Sequence, residues 1–233
     1  MSQLLISVTS IKEAQVALEC GADIIDLKDP EQGALGALPL ARISEIVTFI
    51  NEKSGLESIA ISATIGDLPM DPDLLLRHVL ALSQTRVDII KIGFFRHHDS
   101  ELTDSQSCLD ALMSIASSGV KLVAVLFVED AYPASLVTAI KNAGFYGVML
   151  DTADKNSTTF LDYFTADEVK AIAKNVQAHG LLFGLAGSLN LQHVRLLGEI
   201  APDYIGFRGG VCINHQRKSK LDPEKIRAIR KAI

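Results

Sequence analysis

Two hydrophobic patterns alternate along this chain from one end to the other. Short runs rich in Ile, Val and Leu give way to stretches of helical periodicity, and the pair then repeats. The runs at 4–8, 23–28, 58–64, 87–94, 121–128, 146–151, 181–186 and 203–207 predict strands. The stretches at 11–20, 40–53, 72–83, 104–117, 133–143, 166–179, 191–200 and 223–232 predict helices, the first capped by Ser10. Gly21, Gly119, Gly144 and Gly180 fall where a helix ends and a strand begins, as helix-terminating glycines do. The strand runs are nearly continuous in apolar residues, as parallel strands covered by helices should be.

Uninterrupted repetition of strand and helix implies a parallel sheet with right-handed crossovers. Eight such units close into a barrel more naturally than they spread into an open sheet. The expected class is therefore α/β, a single-domain (β/α)8 TIM barrel over residues 1–233. An open doubly wound sheet is the rival, and it normally carries a glycine fingerprint after its first strand. Here that turn is Thr9-Ser10-Ile11-Lys12, without glycine. No linker or low-complexity tract divides the chain, and its 233 residues suit one compact barrel.

Composition narrows the class. A formal net charge of −6 argues against general nucleic-acid binding, although clustered cations in one cleft can still take an anionic substrate. No apolar run is long enough to cross a bilayer, and 1–10 lead into a strand without the features of a secretory signal. Cys20, Cys108 and Cys212 are widely spaced and form no CxxC pair, which suits reduced thiols in a cytoplasmic protein. Small barrels commonly self-associate, so a homo-oligomer is expected.

In barrels of this kind the chemistry lies at the C-terminal ends of the strands. Strand two ends Asp26-Leu27-Lys28, strand four contains Lys91, and strand six ends at Asp151 with Lys155 beyond it. Strand side chains alternate, so Asp26 and Lys28 share a face. If Leu27 packs under the helices, both point into the barrel mouth. A structural ion pair is the plain alternative. Lys91 interrupts Ile89-Ile90-Lys91-Ile92, where an unpaired lysine is costly to bury. Two nearby lysines can lower one another's proton affinity, which makes an amine a nucleophile toward a carbonyl or a base. Strands seven and eight end in Gly184-Leu185-Ala186-Gly187-Ser188 and Gly206-Phe207-Arg208-Gly209-Gly210. Barrels often bind phosphate there through backbone N–H groups, and an arginine fork can add to it. Two tight turns that simply need glycine are the alternative.

Other polar groups carry less. His97-His98 lack a third partner at ligand spacing, so a solvated loop is expected and no metal or organic cofactor is called for. The basic run from His215 to Lys220 reads as an exposed, mobile loop, with a lid over an anion the lesser reading. Glu129-Asp130 reads as the start of the next helix rather than a cation site.

These segments together carry a resemblance. Ser7-Val8-Thr9-Ser10, Glu13-Ala14, the stretch from Gly21 to Pro30 with its Asp-x-Lys-Asp-Pro, and Gly33-Ala34-Leu35-Gly36-Ala37 form its first part. Lys91-Ile92-Gly93, Leu150-Asp151-Thr152 with Lys155, and the two glycine turns complete it over the full length. The chain resembles the (5-formylfuran-3-yl)methyl phosphate synthases, (β/α)8 barrels of methanofuran-type cofactor biosynthesis. The resemblance implies a lyase that condenses two molecules of glyceraldehyde 3-phosphate into a furan phosphate through a lysine Schiff base. It implies Lys28 as the Schiff-base lysine, Lys91 as proton acceptor, and support from Asp26, Asp151 and Lys155. Gly187, Ser188, Arg208, Gly209 and Gly210 would then hold the retained phosphate. The residue types alone leave the roles of the three lysines exchangeable. They also leave open another Schiff-base aldolase or dehydratase of phosphosugars, or a phosphate-ligand sensor without catalysis.

Overall fold

The computed structural model describes residues 2–54, 59–95, 102–154 and 158–233. Among them, eight parallel strands close into a barrel in chain order, each paired with its sequence neighbours and β8 with β1. The first half runs β1 (Gln3–Val8), α1 (Ile11–Glu19), β2 (Ile24–Leu27), α2 (Leu40–Ser54), β3 (Ala60–Thr64), α3 (Pro72–Ser83), β4 (Ile89–Phe94) and α4 (Leu102–Ser117). The second half runs β5 (Lys121–Phe127), α5 (Ser135–Asn142), β6 (Gly147–Asp151), α6 (Ala166–Ala178), β7 (Leu182–Leu185), α7 (Val194–Ile200), β8 (Tyr204–Phe207) and α8 (Pro223–Ala232). The expected single-domain (β/α)8 barrel is thus the observed fold. No described helix is long and apolar enough to cross a membrane.

Local chemistry explains the helix ends. The Ser10 hydroxyl accepts from Glu13 N, and Asp71 and Asp222 cap α3 and α8, each followed by a proline that needs no N–H partner. The four expected glycines all adopt positive φ after their helices. Several boundaries shift by a residue or more from expectation, and two of the differences have a visible cause. Asn190 caps a single 3-10 turn, Leu191–His193, before α7 begins, so the expected helix at 191–200 is divided. α5 starts at Ser135 rather than at Pro133. Tyr132 explains the delay: its hydroxyl donates to Phe94 O at 2.7 Å and accepts from Phe127 N at 3.0 Å, tying the preceding loop to the barrel.

Alternation along the strands sorts the core into two layers. Leu4, Ile6, Ile25, Leu27, Ile90 and Ile92 face the helices, whereas Leu5, Ile24, Ile89, Val125, Met149 and Tyr204 fill the barrel interior. Gly184 makes room for the Tyr204 ring, since a Cβ there would lie 2.3 Å from it. One step up β1, β2, β3, β4 and β6 the inward positions turn polar, at Ser7, Asp26, Ser62, Lys91 and Asp151, whereas β5 stays apolar with Val125 and Phe127. Ser7 pairs in register with Asp26, Asp26 with Ser62, and Thr64 with Lys91. An apolar plug therefore supports a polar layer at the C-terminal mouth.

Candidate active site

Four charged side chains from β2, β4 and β6 converge in that layer. Asp26 is 0% exposed, Lys91 2%, Asp151 2% and Lys28 7%. Leu27 packs outward beneath the helices, so Asp26 and Lys28 flank it and point inward, as alternation requires. Lys91 Nζ lies 2.6 Å from Asp26 Oδ1, and Lys28 Nζ lies 3.9 Å from Asp151 Oδ2. Each lysine thus has a carboxylate beside it, the first much closer than the second.

Asp26 is held by more than Lys91. Ser7 Oγ donates to its Oδ2 at 2.8 Å, and Ser62 Oγ donates to its Oδ1 at 2.7 Å. Burial alone would push the Asp26 carboxyl up. The charges of Lys91 and Lys28, with the hydrogen bonds from Lys91 and Ser62, outweigh burial and hold it below its ordinary value. Asp26 is therefore an anion at neutral pH. On the other side, Asp151 Oδ1 accepts from Thr152 N at 2.8 Å, which fixes the carboxylate at the strand end.

A cavity of about 710 Å³ opens above these groups, walled further by the turns after β7 and β8. Gly187 and Gly210 are dictated by close approach. A Cβ on Gly210 would lie 2.0 Å from Leu189 O, and one on Gly187 would lie 2.8 Å from Thr152 Cγ2, with φ at +98° besides. The two turns consequently press against each other and against the end of β6. Among the described residues, no acceptor takes the backbone N–H of Gly187, Ser188, Gly209 or Gly210. Four such donors on one cavity wall suit an anion.

Arg208 has a different part from the one expected of it. Its guanidinium donates from Nε to Arg217 O, from NH1 to Ser7 O and Glu13 Oε2, and from NH2 to Glu13 Oε1 and Ser219 O. An arginine has five N–H donors, and all five are taken by protein acceptors. Arg208 is a strut that binds the loop after β8 to α1, with no N–H left for a phosphate. Glu13 completes the strut by also accepting from Thr9 N and Thr9 Oγ1.

That loop is more organised than its basic sequence suggests. Ile213 N bonds to Lys220 O, closing the loop on itself. Arg217 NH2 donates to Gly33 O at 2.9 Å, and Lys218 Nζ lies 2.6 Å from Glu31 Oε2. Burial lowers the Arg217 guanidinium from its ordinary value, while Asp151 acts in the opposite direction. Glu129 also departs from expectation. It does not start a helix; its carboxylate accepts from Ala153 N and Asp154 N and braces the loop after β6. Lys155 and the His97-His98 pair lie outside the described residues. The described residues contain no group of three or more His, Cys, Asp or Glu able to hold a metal ion.

Sequence reasoning found the four inward charges but assigned no task to Ser7, Ser62, Glu13 or Arg217. Ser7 and Ser62 had one available signal, a polar residue at the inward position of an apolar strand. Glu13 and Arg217 had none, because their partners are distant in the chain.

The chain is similar to known proteins over nearly its whole length. The pattern of the 4-HFC-P synthase family matches residues 4–230. A Methylorubrum extorquens protein provisionally named a (5-formylfuran-3-yl)methyl phosphate synthase is 34% identical over 96% of this chain and 88% of its own. The (5-formylfuran-3-yl)methyl phosphate synthase of Archaeoglobus fulgidus is 31% identical over 99% of both chains. The crystal structure of phosphoribosyl anthranilate isomerase from Thermus thermophilus superposes with a TM-score of 0.65 at 15% identity, over 99% of this chain and 97% of that one, a likeness of fold alone. With its family pattern matched almost end to end, the chain belongs to the 4-HFC-P synthase family.

Proposed function

We propose that this protein is a (5-formylfuran-3-yl)methyl phosphate synthase, a carbon–oxygen lyase of methanofuran-type cofactor biosynthesis. It condenses two molecules of glyceraldehyde 3-phosphate into 4-(hydroxymethyl)-2-furancarboxaldehyde phosphate and releases one phosphate and two waters. The observation that carries this reading is the convergence of two buried lysines and two buried carboxylates at one barrel mouth, in a chain of the 4-HFC-P synthase family. An imine-forming lysine and a proton-handling partner are what the condensation needs. The reading takes Lys28 as the imine-forming residue and Lys91, 2.6 Å from Asp26, as its proton partner.

The imine acts as an electron sink, so the neighbouring carbon loses a proton more readily. Lys91 and Asp26 together carry that proton, with the serines keeping Asp26 aligned. Asp151, beside Lys28, handles the proton that leaves with water as the imine forms. The resulting enamine attacks the second aldehyde, and loss of phosphate and water leads to the aromatic ring. The open N–H groups of Gly187, Ser188, Gly209 and Gly210 hold the phosphate that is retained.

The test is to incubate the purified protein with glyceraldehyde 3-phosphate alone and follow furan absorbance and phosphate release. Lys28→Ala and Lys91→Ala run alongside. Furan from the wild type, absent from both variants, is the expected result. Intact substrate, or phosphate without furan, would overturn the reading.

A further inference from the structure

The loop after β2 presents two consecutive carbonyls to two different cations. Gly33 O accepts from Arg217 NH2 at 2.9 Å, and Ala34 O accepts from Lys28 Nζ at 3.5 Å. These carbonyls are held in place because Asp67 accepts from Ala34 N and Leu35 N, each at 2.7 Å. Arg217 and Lys28 both line the cavity, and the loop that carries Gly33 and Ala34 links them. The Arg217 guanidinium is only half-buried, on the cavity wall, and its bond to Gly33 is the one hydrogen bond it makes among the described residues. Of its five N–H donors, four remain to face a ligand. The Lys218–Glu31 ion pair ties the same loop down one residue further on.

We propose that Arg217 binds the phosphate of the triose that is held as an imine on Lys28, a subsite separate from the glycine N–H groups that take the other phosphate. This rests on the synthase reading, since only a condensation of two phosphorylated molecules needs two phosphate sites. The planar guanidinium fork suits a doubly charged phosphate ester. It also keeps that ester next to the carbon being activated. Arg208, the arginine that the glycine turn advertises, supplies the frame: its bond to Arg217 O fixes the backbone from which the Arg217 side chain reaches out.

The probe is glycerol 3-phosphate, which has no carbonyl and so forms no imine and no furan. Its binding is titrated calorimetrically against the wild type, Arg217→Gln and Arg217→Lys. The wild type should take two equivalents and Arg217→Gln one, with Arg217→Lys binding the second about tenfold more weakly. Two equivalents at wild-type affinity in Arg217→Gln overturns the proposal, as does a single equivalent in the wild type. If Arg217→Gln does not fold, Arg217→Lys decides: a weakened second equivalent supports the subsite, and an unchanged one overturns it. A protein that makes no furan but shows the drop from two equivalents to one keeps the subsite and loses the synthase reading.

Discussion

Lys91 Nζ lies 2.6 Å from Asp26 Oδ1, and neither side chain is open to solvent. Such a pair is costly to bury and more costly to break. Asp26→Asn would leave the Lys91 ammonium without its counter-charge. We expect it to destabilise the fold by about 3–5 kcal/mol at neutral pH and to lower turnover by at least about a hundredfold. The stability loss has a pH signature. The Asp26 carboxyl is held below its ordinary value, so its contribution is fully present above about pH 4 and disappears as pH falls through the lowered value. Denaturant unfolding of both proteins should show a gap that narrows in acid. A gap independent of pH would remove Asp26 from the linkage.

The two lysines should separate in a trapping experiment. Borohydride added with glyceraldehyde 3-phosphate should fix one triose on the wild type and on Lys91→Met, with peptide mass mapping to Lys28. Lys28→Ala should acquire none. Lys91→Met should nonetheless make furan at least about a hundredfold more slowly. An adduct that maps to Lys91 would exchange the two roles.

The strut between α1 and the loop after β8 should matter to the site without touching the chemistry. Glu13 and Arg208 are largely buried and joined by two charge-assisted bonds. Glu13→Gln should cost about 2 kcal/mol of stability and raise KM more than it lowers kcat. Paired thermal unfolding and steady-state kinetics would show this. An unchanged KM would mean that the loop holds its shape without the strut.

Glycines at two positions should respond in opposite directions. Gly210→Ala puts a Cβ 2.0 Å from Leu189 O and must part the two turns, so phosphate affinity and stability should both fall. Gly198 lies within α7 and has nothing within 4 Å of the added carbon. Gly198→Ala should raise stability by about 0.5–1 kcal/mol and leave turnover unchanged. Melting temperatures of the two variants give the comparison.

Much of this site was readable from strand periodicity. Leu27 among apolar neighbours set the parity of β2, and that parity placed Asp26 and Lys28 inside the barrel. The apolar company of Lys91 did the same for β4. What periodicity cannot supply is register between strands, because the stagger of a closed barrel is a property of all the strands together. Hence the alignment of Ser7, Asp26 and Ser62 in one row was not readable. Arg208 was misread for a related reason. A glycine-flanked arginine after the last strand resembles a phosphate ligand, and nothing local shows that Glu13, from the first helix, already occupies its fork. The loop from His215 to Lys220 is largely exposed, as expected, but its tethers were not readable because Gly33 and Glu31 lie far back in the chain.

The Glu13–Arg208 bond joins the first βα unit of the barrel to the last. It therefore spans the seam where the circle of strands is completed, beside the pairing of β1 with β8. During synthesis the residues of β2, β4 and β6 emerge well before the segment that carries Arg208 and Arg217. The part of the chain made last is therefore the part that locks the loop carrying Arg217 to the first helix.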